Sequence, residues 1–269
     1  MSYESLLREF VEACEGAFGE NLTGAYLHGS MAMGCFHPLK SDIDLLAVLE
    51  EEPDAAQKRA FMERVLRLDE SAPAKGLELS VLLRRDCRPF VHPARFVMHY
   101  SRMHRLRYLT DMEGTLAALR GTDRDLAAHV AVLHRYGRTL AGAPIGEVFG
   151  PVRREDYLDA LLYDAQSARE DVWENPMYVV LSLCRVLAFA SEGLCLSKEE
   201  GARWAMARED AELRPVIARA LHCYASDENM QPDAAAAALA ERMLAEIDTA
   251  RKTVSDGKTN ADGLDGSGE

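Results

Sequence analysis

Two aspartates one residue apart, Asp42 and Asp44 in the run S-D-I-D-L, head the residues of this chain whose types and spacing could do chemistry. In a strand, alternate side chains share a face, so both carboxylates point one way while Ile43 points into a core. Paired carboxylates repel unless a positive charge lies between them. A divalent metal removes that cost. Magnesium, hard and oxygen-seeking, suits such a pair, with phosphate oxygens completing its shell. A D-x-D at a strand start is also common on solvent-facing edges, so the pair alone identifies nothing. Three further features narrow the choice. Gly29-Ser30 stands 12 residues ahead of Asp42, bringing a hydroxyl and a flexible backbone whose N–H groups can cradle phosphate. Gly34 permits a tight return. Glu78 interrupts the apolar run L-E-L-S-V-L-L, where an acid costs stability unless it is exposed or partnered. Joined to the aspartates across adjacent strands, it would complete a three-carboxylate site.

The elements that must position these groups can be traced from periodicity. Residues 3–19 place Leu6, Leu7, Phe10, Val11, Cys14 and Phe18 on one helical face. A turn bracketed by Asn21 and Gly24 leads into L-T-G-A-Y-L-H-G, a short strand ending at Gly29-Ser30. I-D-L-L-A-V-L-E-E is apolar enough for a buried strand. Residues 53–69 form a helix started by Pro53 and Asp54. L-E-L-S-V-L-L-R-R, residues 77–85, alternates as a strand does. The order predicts an α+β domain around a small mixed sheet with flanking helices.

From about residue 123 the texture changes. Segments 124–141, 153–171, 176–192, 197–208, 211–224 and 232–253 carry alanine and leucine at helical spacings, punctuated by Pro144, Pro151, Pro176 and Pro215. No strand stands out among them, so a C-terminal α-helical bundle is expected, with Trp204 in its core. The domain boundary is placed near residue 120, giving domains 1–120 and 121–253. The polar, glycine-rich stretch 254–269 is expected to be a disordered tail.

Composition sets the outer limits. Apolar residues at 48% and charged residues at 28% are ordinary for a globular protein. The longest apolar runs fall short of a membrane span. The opening M-S-Y-E-S-L-L-R-E-F lacks the basic flank and apolar stretch of a secretory signal, and a cytoplasmic enzyme is expected. Six scattered cysteines (Cys14, Cys35, Cys87, Cys184, Cys195, Cys223) have no zinc spacing and read as reduced structural thiols. The net charge of −13 counts against nucleic acid as a partner, since phosphate contacts need basic stripes. An acidic cleft concentrates small cations, although the same charge also serves solubility alone. His28 beside Gly29 reads as a packed strand histidine. His99, His104 and His129 have no convincing ligand spacing.

The pattern G-S-x-x-x-G, then S-D-I-D-L, then an acid on a later strand resembles the DNA polymerase beta-type nucleotidyltransferases. L-E-L-S-V-L-L-R-R followed by Pro89 and Pro93-Ala94-Arg95, and later NPMYVVLSLCRVLAFASEGLCLSKEEGARWAMARE, are similar to the bacterial aminoglycoside adenylyltransferases, which modify streptomycin and spectinomycin. The likeness runs from about residue 22 to 225. It implies an N-terminal nucleotidyltransferase domain and AMP transfer from ATP, with Mg2+, onto a hydroxyl of an aminoglycoside or aminocyclitol. Position by position, Asp42 and Asp44 match the family's metal-binding aspartates. Glu78 matches its catalytic base and joins them at the metal. Gly29, Ser30 and Ser41 match residues that hold ATP phosphates. Arg185 and Lys198 match basic residues that reach the nucleotide, and Tyr224 a tyrosine near it. Asp171 matches an acceptor-binding aspartate.

The chain also departs from that pattern. Members that accept streptomycin carry a tryptophan where Met103 stands here, and a second acceptor-binding aspartate where this chain has Asn175. Streptomycin bears guanidinium groups, which gain from an indole face and from carboxylates. Spectinomycin has none, so it is the expected acceptor of the two. Two other functions fit the same residues: transfer onto another small-molecule or protein hydroxyl, and nucleotide binding without transfer. The latter would be marked by a lost carboxylate, whereas all three are present.

Overall fold

A computed structural model of the chain describes residues 2–256, and side chains through residue 252. The described chain divides into two compact units, one through Val152 and one from Arg153. The first unit opens with α1 (Tyr3–Phe18), whose N-terminus is closed by the Ser2 hydroxyl accepting from Ser5 N at 3.2 Å. Then come β1 (Leu22–His28), the one-turn α2 (Gly29–Ala32), β2 (Ile43–Leu49), α3 (Ala55–Leu68), β3 (Leu77–Leu83) and the short α4 (Arg84–Cys87). Next are β4 (Ala94–Phe96), β5 (Met98–Ser101), α5 (Arg105–Thr110), α6 (Met112–Ala118), β6 (Gly121–Asp123), α7 (Leu126–Tyr136), β7 (Arg138–Gly142) and α8 (Ile145–Val148).

Five strands form a mixed sheet in the order β5-β3-β2-β1-β7, with β2 and β3 parallel and the other neighbours antiparallel. β4 and β6 pair separately. Strand periodicity sorts the side chains of the sheet. Ile43, Leu45, Ala47 and Leu49 of β2, with Leu77, Leu79 and Val81 of β3, enter the core beneath α1 and α3. Phe61 of α3 is fully buried there, 4.8 Å from the Phe18 ring and 6.4 Å from Phe10. Truncating such a ring costs about 3–5 kcal/mol, a large share of the roughly 5–15 kcal/mol that holds a domain together. Asp54 caps α3 at the start read from the sequence, and Gln57 completes a capping box with it. Asp44 and Glu78 occupy the alternate positions and so lie on the opposite face.

The second unit is helical: α9 (Arg154–Asp164), α10 (Ala168–Asp171), α11 (Pro176–Glu192), α12 (Lys198–Met206), α13 (Arg214–Ala225) and α14 (Ala234–Asp256). α11 buries residues all round its circumference, including Val179, Leu183, Val186 and Phe189, as the central helix of a bundle must. α12, α13, α14 and α9 pack around it. Pro176 begins α11, and Arg154 donates to the Phe189 and Ala190 carbonyls at its far end, at 3.1 and 3.2 Å.

Three readings need correcting. The stretch 124–141 is not one helix: α7 stops at Tyr136, and 138–142 becomes the edge strand β7 beside β1. Its run R-T-L-A-G is too short and too exposed to show alternation. Because β7 joins the sheet, the first unit runs on to Val152, well past the change of texture near 120. Trp204 is not core. It is half-buried, its indole N–H donates to Glu192 at 3.2 Å, and the Arg208 guanidinium lies 4.4 Å over its ring. Of the expected tail, residues 254–256 close α14 and the rest lie outside the described residues. None of the six cysteines is joined in a disulfide; five are buried and Cys35 is half-buried. No described helix is long and apolar enough to cross a membrane.

Candidate active site

The strand register assembles the carboxylates. Asp44 on β2 lies opposite His28 of β1 and directly beside Glu78 of β3. Asp42, one residue ahead of β2, projects toward the same place. One carboxylate oxygen from each of Asp42, Asp44 and Glu78 lies within 4.8 Å of the other two, and the three residues are half-buried. The starts of the two parallel strands are tied down independently. Ile43 N donates to the Gly76 carbonyl at 3.1 Å, and Leu77 N donates to the buried Asp69 carboxylate at 2.9 Å. Arg102 Nε donates to the same carboxylate at 3.1 Å. Three carboxylates at such separations repel. Hard anionic oxygens in a partly enclosed cluster are the donor set that a small divalent cation such as magnesium takes.

Above the cluster, β1 runs straight into α2. Gly29 has φ +63°, and a Cβ built there would fall on the Asp44 carboxylate. Only glycine permits both the left-handed turn and this approach. The next residue, Ser30, holds its hydroxyl oxygen buried without a hydrogen-bond partner, which leaves a preset donor for an incoming oxygen. Ser41 is buried at the end of the loop. Its hydroxyl accepts from His37 N at 3.1 Å while its own N–H donates to the His37 carbonyl at 2.8 Å, so its O–H proton remains to be given.

Histidines complete this face, and the sequence had not brought them together. His129 of α7 stacks on His28 at 4.7 Å and carries its Nε2 to 3.9 Å from a Glu78 oxygen. His28 is the packed strand histidine expected: burial, with His129 beside it, holds its imidazole well below the ordinary value, so it is neutral. Two residues beyond Glu78, Ser80 Oγ lies 3.0 Å from His99 Nδ1, and the His99 ring is 5.4 Å from His104. Burial, helped by His104, pushes His99 down to about 4. A helical A-A-H-V-A gave no signal for His129, because its role depends on where α7 is laid against β1.

The remaining residues singled out from the sequence belong to other elements. Met103 stands in the turn after β5 and is 82% exposed. In the helical unit, Arg185 lies on α11, Lys198 is the first residue of α12, and Tyr224 is buried on α13. Asp171 ends α10 and accepts from the Ser167 hydroxyl at 2.6 Å; Asn175 is the residue before α11. Two residues not singled out join the basic pair. Asp164 Oδ2 lies 3.5 Å from Arg185 Nη2 and its carboxylate accepts from the Tyr178 hydroxyl, while Lys198 Nζ lies 4.0 Å over the Tyr178 ring.

Known proteins carry the same pieces in the same order. Residues 7–85 match the nucleotidyltransferase domain family, and residues 147–246 match the family of the aminoglycoside adenylyltransferase C-terminal domain. An aminoglycoside (3'') (9) adenylyltransferase of Escherichia coli is 28% identical over 233 residues, covering 82% of this chain and 85% of that protein. One from Klebsiella pneumoniae is 27% identical over 234 residues, covering 83% and 86%. The spectinomycin adenyltransferase AAD(9) of Enterococcus faecialis, solved with ATP and spectinomycin, superposes with a TM-score of 0.77 at 17% identity. The match covers 92% of this chain and all of that one, a likeness that speaks for the fold. With a nucleotidyltransferase domain built around three converging carboxylates and the helical domain of these relatives after it, the chain belongs to the aminoglycoside adenylyltransferase family of nucleotidyltransferases.

Proposed function

We propose that the protein transfers AMP from ATP to a hydroxyl of an aminocyclitol antibiotic, with magnesium, and that it accepts spectinomycin in preference to streptomycin. The observation that carries this is the convergence of Asp42, Asp44 and Glu78 beneath the Gly29-Ser30 turn. Phosphoryl-type transfer asks a protein chiefly for positioning and charge neutralisation. Asp42, Asp44 and Glu78 would hold the metal, which when bound supplies neutralisation of phosphate charge and a more acidic acceptor hydroxyl. The chain's own groups do the rest. A Glu78 oxygen takes the proton from the acceptor hydroxyl as that oxygen attacks the α-phosphorus and pyrophosphate departs. The Ser30 and Ser41 hydroxyls donate to phosphate oxygens. Arg185 and Lys198 contribute positive charge to the triphosphate, and Tyr224 contacts the nucleotide. Asp171 pairs with cationic groups of the acceptor. The acidic balance of the chain disfavours a nucleic-acid acceptor, and we place the reaction in the cytoplasm, where ATP is available.

Gly29→Ala tests the turn. Its Cβ would displace the Asp44 carboxylate, so transfer should fall by roughly 10²-fold or more, the scale of losing one charge-stabilising group. Forcing an alanine to positive φ should cost about 1–2 kcal/mol of stability. Turnover and thermal melting of the variant measure both. Full turnover would show that Asp44 does not need its observed position.

The acceptor preference rests on Met103 and Asn175. A highly exposed Met103 offers a thioether where an indole face would serve guanidinium groups, and Asn175 supplies no charge. A susceptible host expressing the chain should be protected against spectinomycin and little or not at all against streptomycin. Equal protection against both would overturn the preference. Protection against neither would point to a different acceptor hydroxyl.

A further inference from the structure

Arg185 and Lys198 come from different helices, yet one small network fixes both. Tyr178 and Arg185 are seven residues apart on α11 and so lie on one face, two turns from each other. Asp164, the last residue of α9, reaches both: its carboxylate accepts from the Tyr178 hydroxyl at 2.9 and 3.2 Å and lies 3.5 Å from Arg185 Nη2. The other face of this link is the Tyr178 ring, with Lys198 Nζ 4.0 Å above its centroid. A phenol that donates to a carboxylate has a more electron-rich ring, which strengthens its hold on a cation.

Helix packing brings the two cations together. Lys198 and Gly201 are three residues apart on α12 and share a face. A Cβ at Gly201 would come within 2.8 Å of Arg185 Cα, so α12 sits directly against α11 at the arginine. Lys198 is the first residue of α12, begun by the Ser197–Glu200 capping box, where the helix dipole opposes a cation and Glu199 and Glu200 share its turn. Arg185 Nε is buried without a hydrogen-bond partner, a donor left unsatisfied within the unit itself. Asp164 and Tyr178 thus link two cations from different helices, with the Arg185 Nε donor in hand.

We propose that Asp164 and Tyr178 are positioning residues that hold Arg185 and Lys198 as a preassembled pair for the nucleotide triphosphate, resting on the reading above that these two cations meet ATP. The experiment is calorimetric titration of the full chain with ATP and magnesium, beside a melting curve of each variant. Tyr178→Leu and Asp164→Asn should each weaken ATP binding about tenfold. Tyr178→Phe keeps the ring under Lys198 and should weaken it less, which also serves if Tyr178→Leu does not fold. Combining Tyr178→Leu with Lys198→Met should weaken binding no more than Lys198→Met alone, the non-additivity of residues acting through one another. A merely structural role would lower the melting temperature and leave the affinity of the folded protein untouched. The proposal is overturned if Arg185→Ala and Lys198→Met weaken ATP binding while the Tyr178 and Asp164 variants bind as the parent does. If Arg185→Ala and Lys198→Met themselves bind normally, the underlying assignment of the two cations falls, and this one with it.

Discussion

Asp42→Asn should reduce adenylyl transfer by about 10³-fold, the upper end of what one preorganised charge-stabilising group contributes, and leave the folded protein intact. Asp42 lies just outside β2, half-buried and away from the core. One of its oxygens lies within 4.8 Å of an oxygen of Asp44 and of one of Glu78. Removing one of three mutually repelling charges relieves repulsion in the metal-free protein. The melting temperature of Asp42→Asn without metal should therefore equal or slightly exceed that of the parent, even as activity disappears. The stabilisation that magnesium gives the parent should shrink in the variant, because a ligand stabilises only in proportion to its binding. Near-normal turnover, or a large loss of metal-free stability, would contradict this account of Asp42.

Glu78→Gln should behave differently. The amide keeps the shape and can accept hydrogen bonds, but it cannot take a proton from the attacking hydroxyl. A positioned base contributes roughly 10²–10⁴-fold, so kcat should drop within that range while ATP and acceptor still bind. Because Glu78 also lies at the metal cluster and beside His129 Nε2, some loss of magnesium affinity is expected with it. Measuring kcat at saturating magnesium separates the two contributions. A variant that regains the parent rate at high magnesium would leave Glu78 as a metal ligand only, without the role of base.

Much of the carboxylate cluster was legible because its logic is local. The period of two in a strand puts Asp42 and Asp44 on one side whatever the rest of the chain does, and Glu78 announces itself by interrupting an apolar run. What periodicity cannot give is register. That Asp44 faces Glu78 follows from β2 and β3 being parallel and from the ties that start each strand: Ile43 to Gly76, and Leu77 to Asp69. His129 was invisible for the same reason. It reaches Glu78 only through the placement of α7, far later in the sequence. β7 was missed because a short edge strand shows no alternation. Trp204 was misplaced because a large aromatic at helical spacing reads as core, whereas the charged partners Glu192 and Arg208 hold it at the surface. The Asp164–Tyr178 network lay unmarked in the sequence, since a carboxylate at the end of one helix and a phenol on another become partners only by packing.

Incubating the purified chain with α-labelled ATP and spectinomycin, with and without magnesium, and following the label decides whether it is an adenylyltransferase of this acceptor. Labelled AMP should appear joined to spectinomycin and pyrophosphate be released, dependent on magnesium and about 10³-fold weaker with Asp42→Asn. Tight ATP binding with no label passing to spectinomycin or any related aminocyclitol would contradict that assignment.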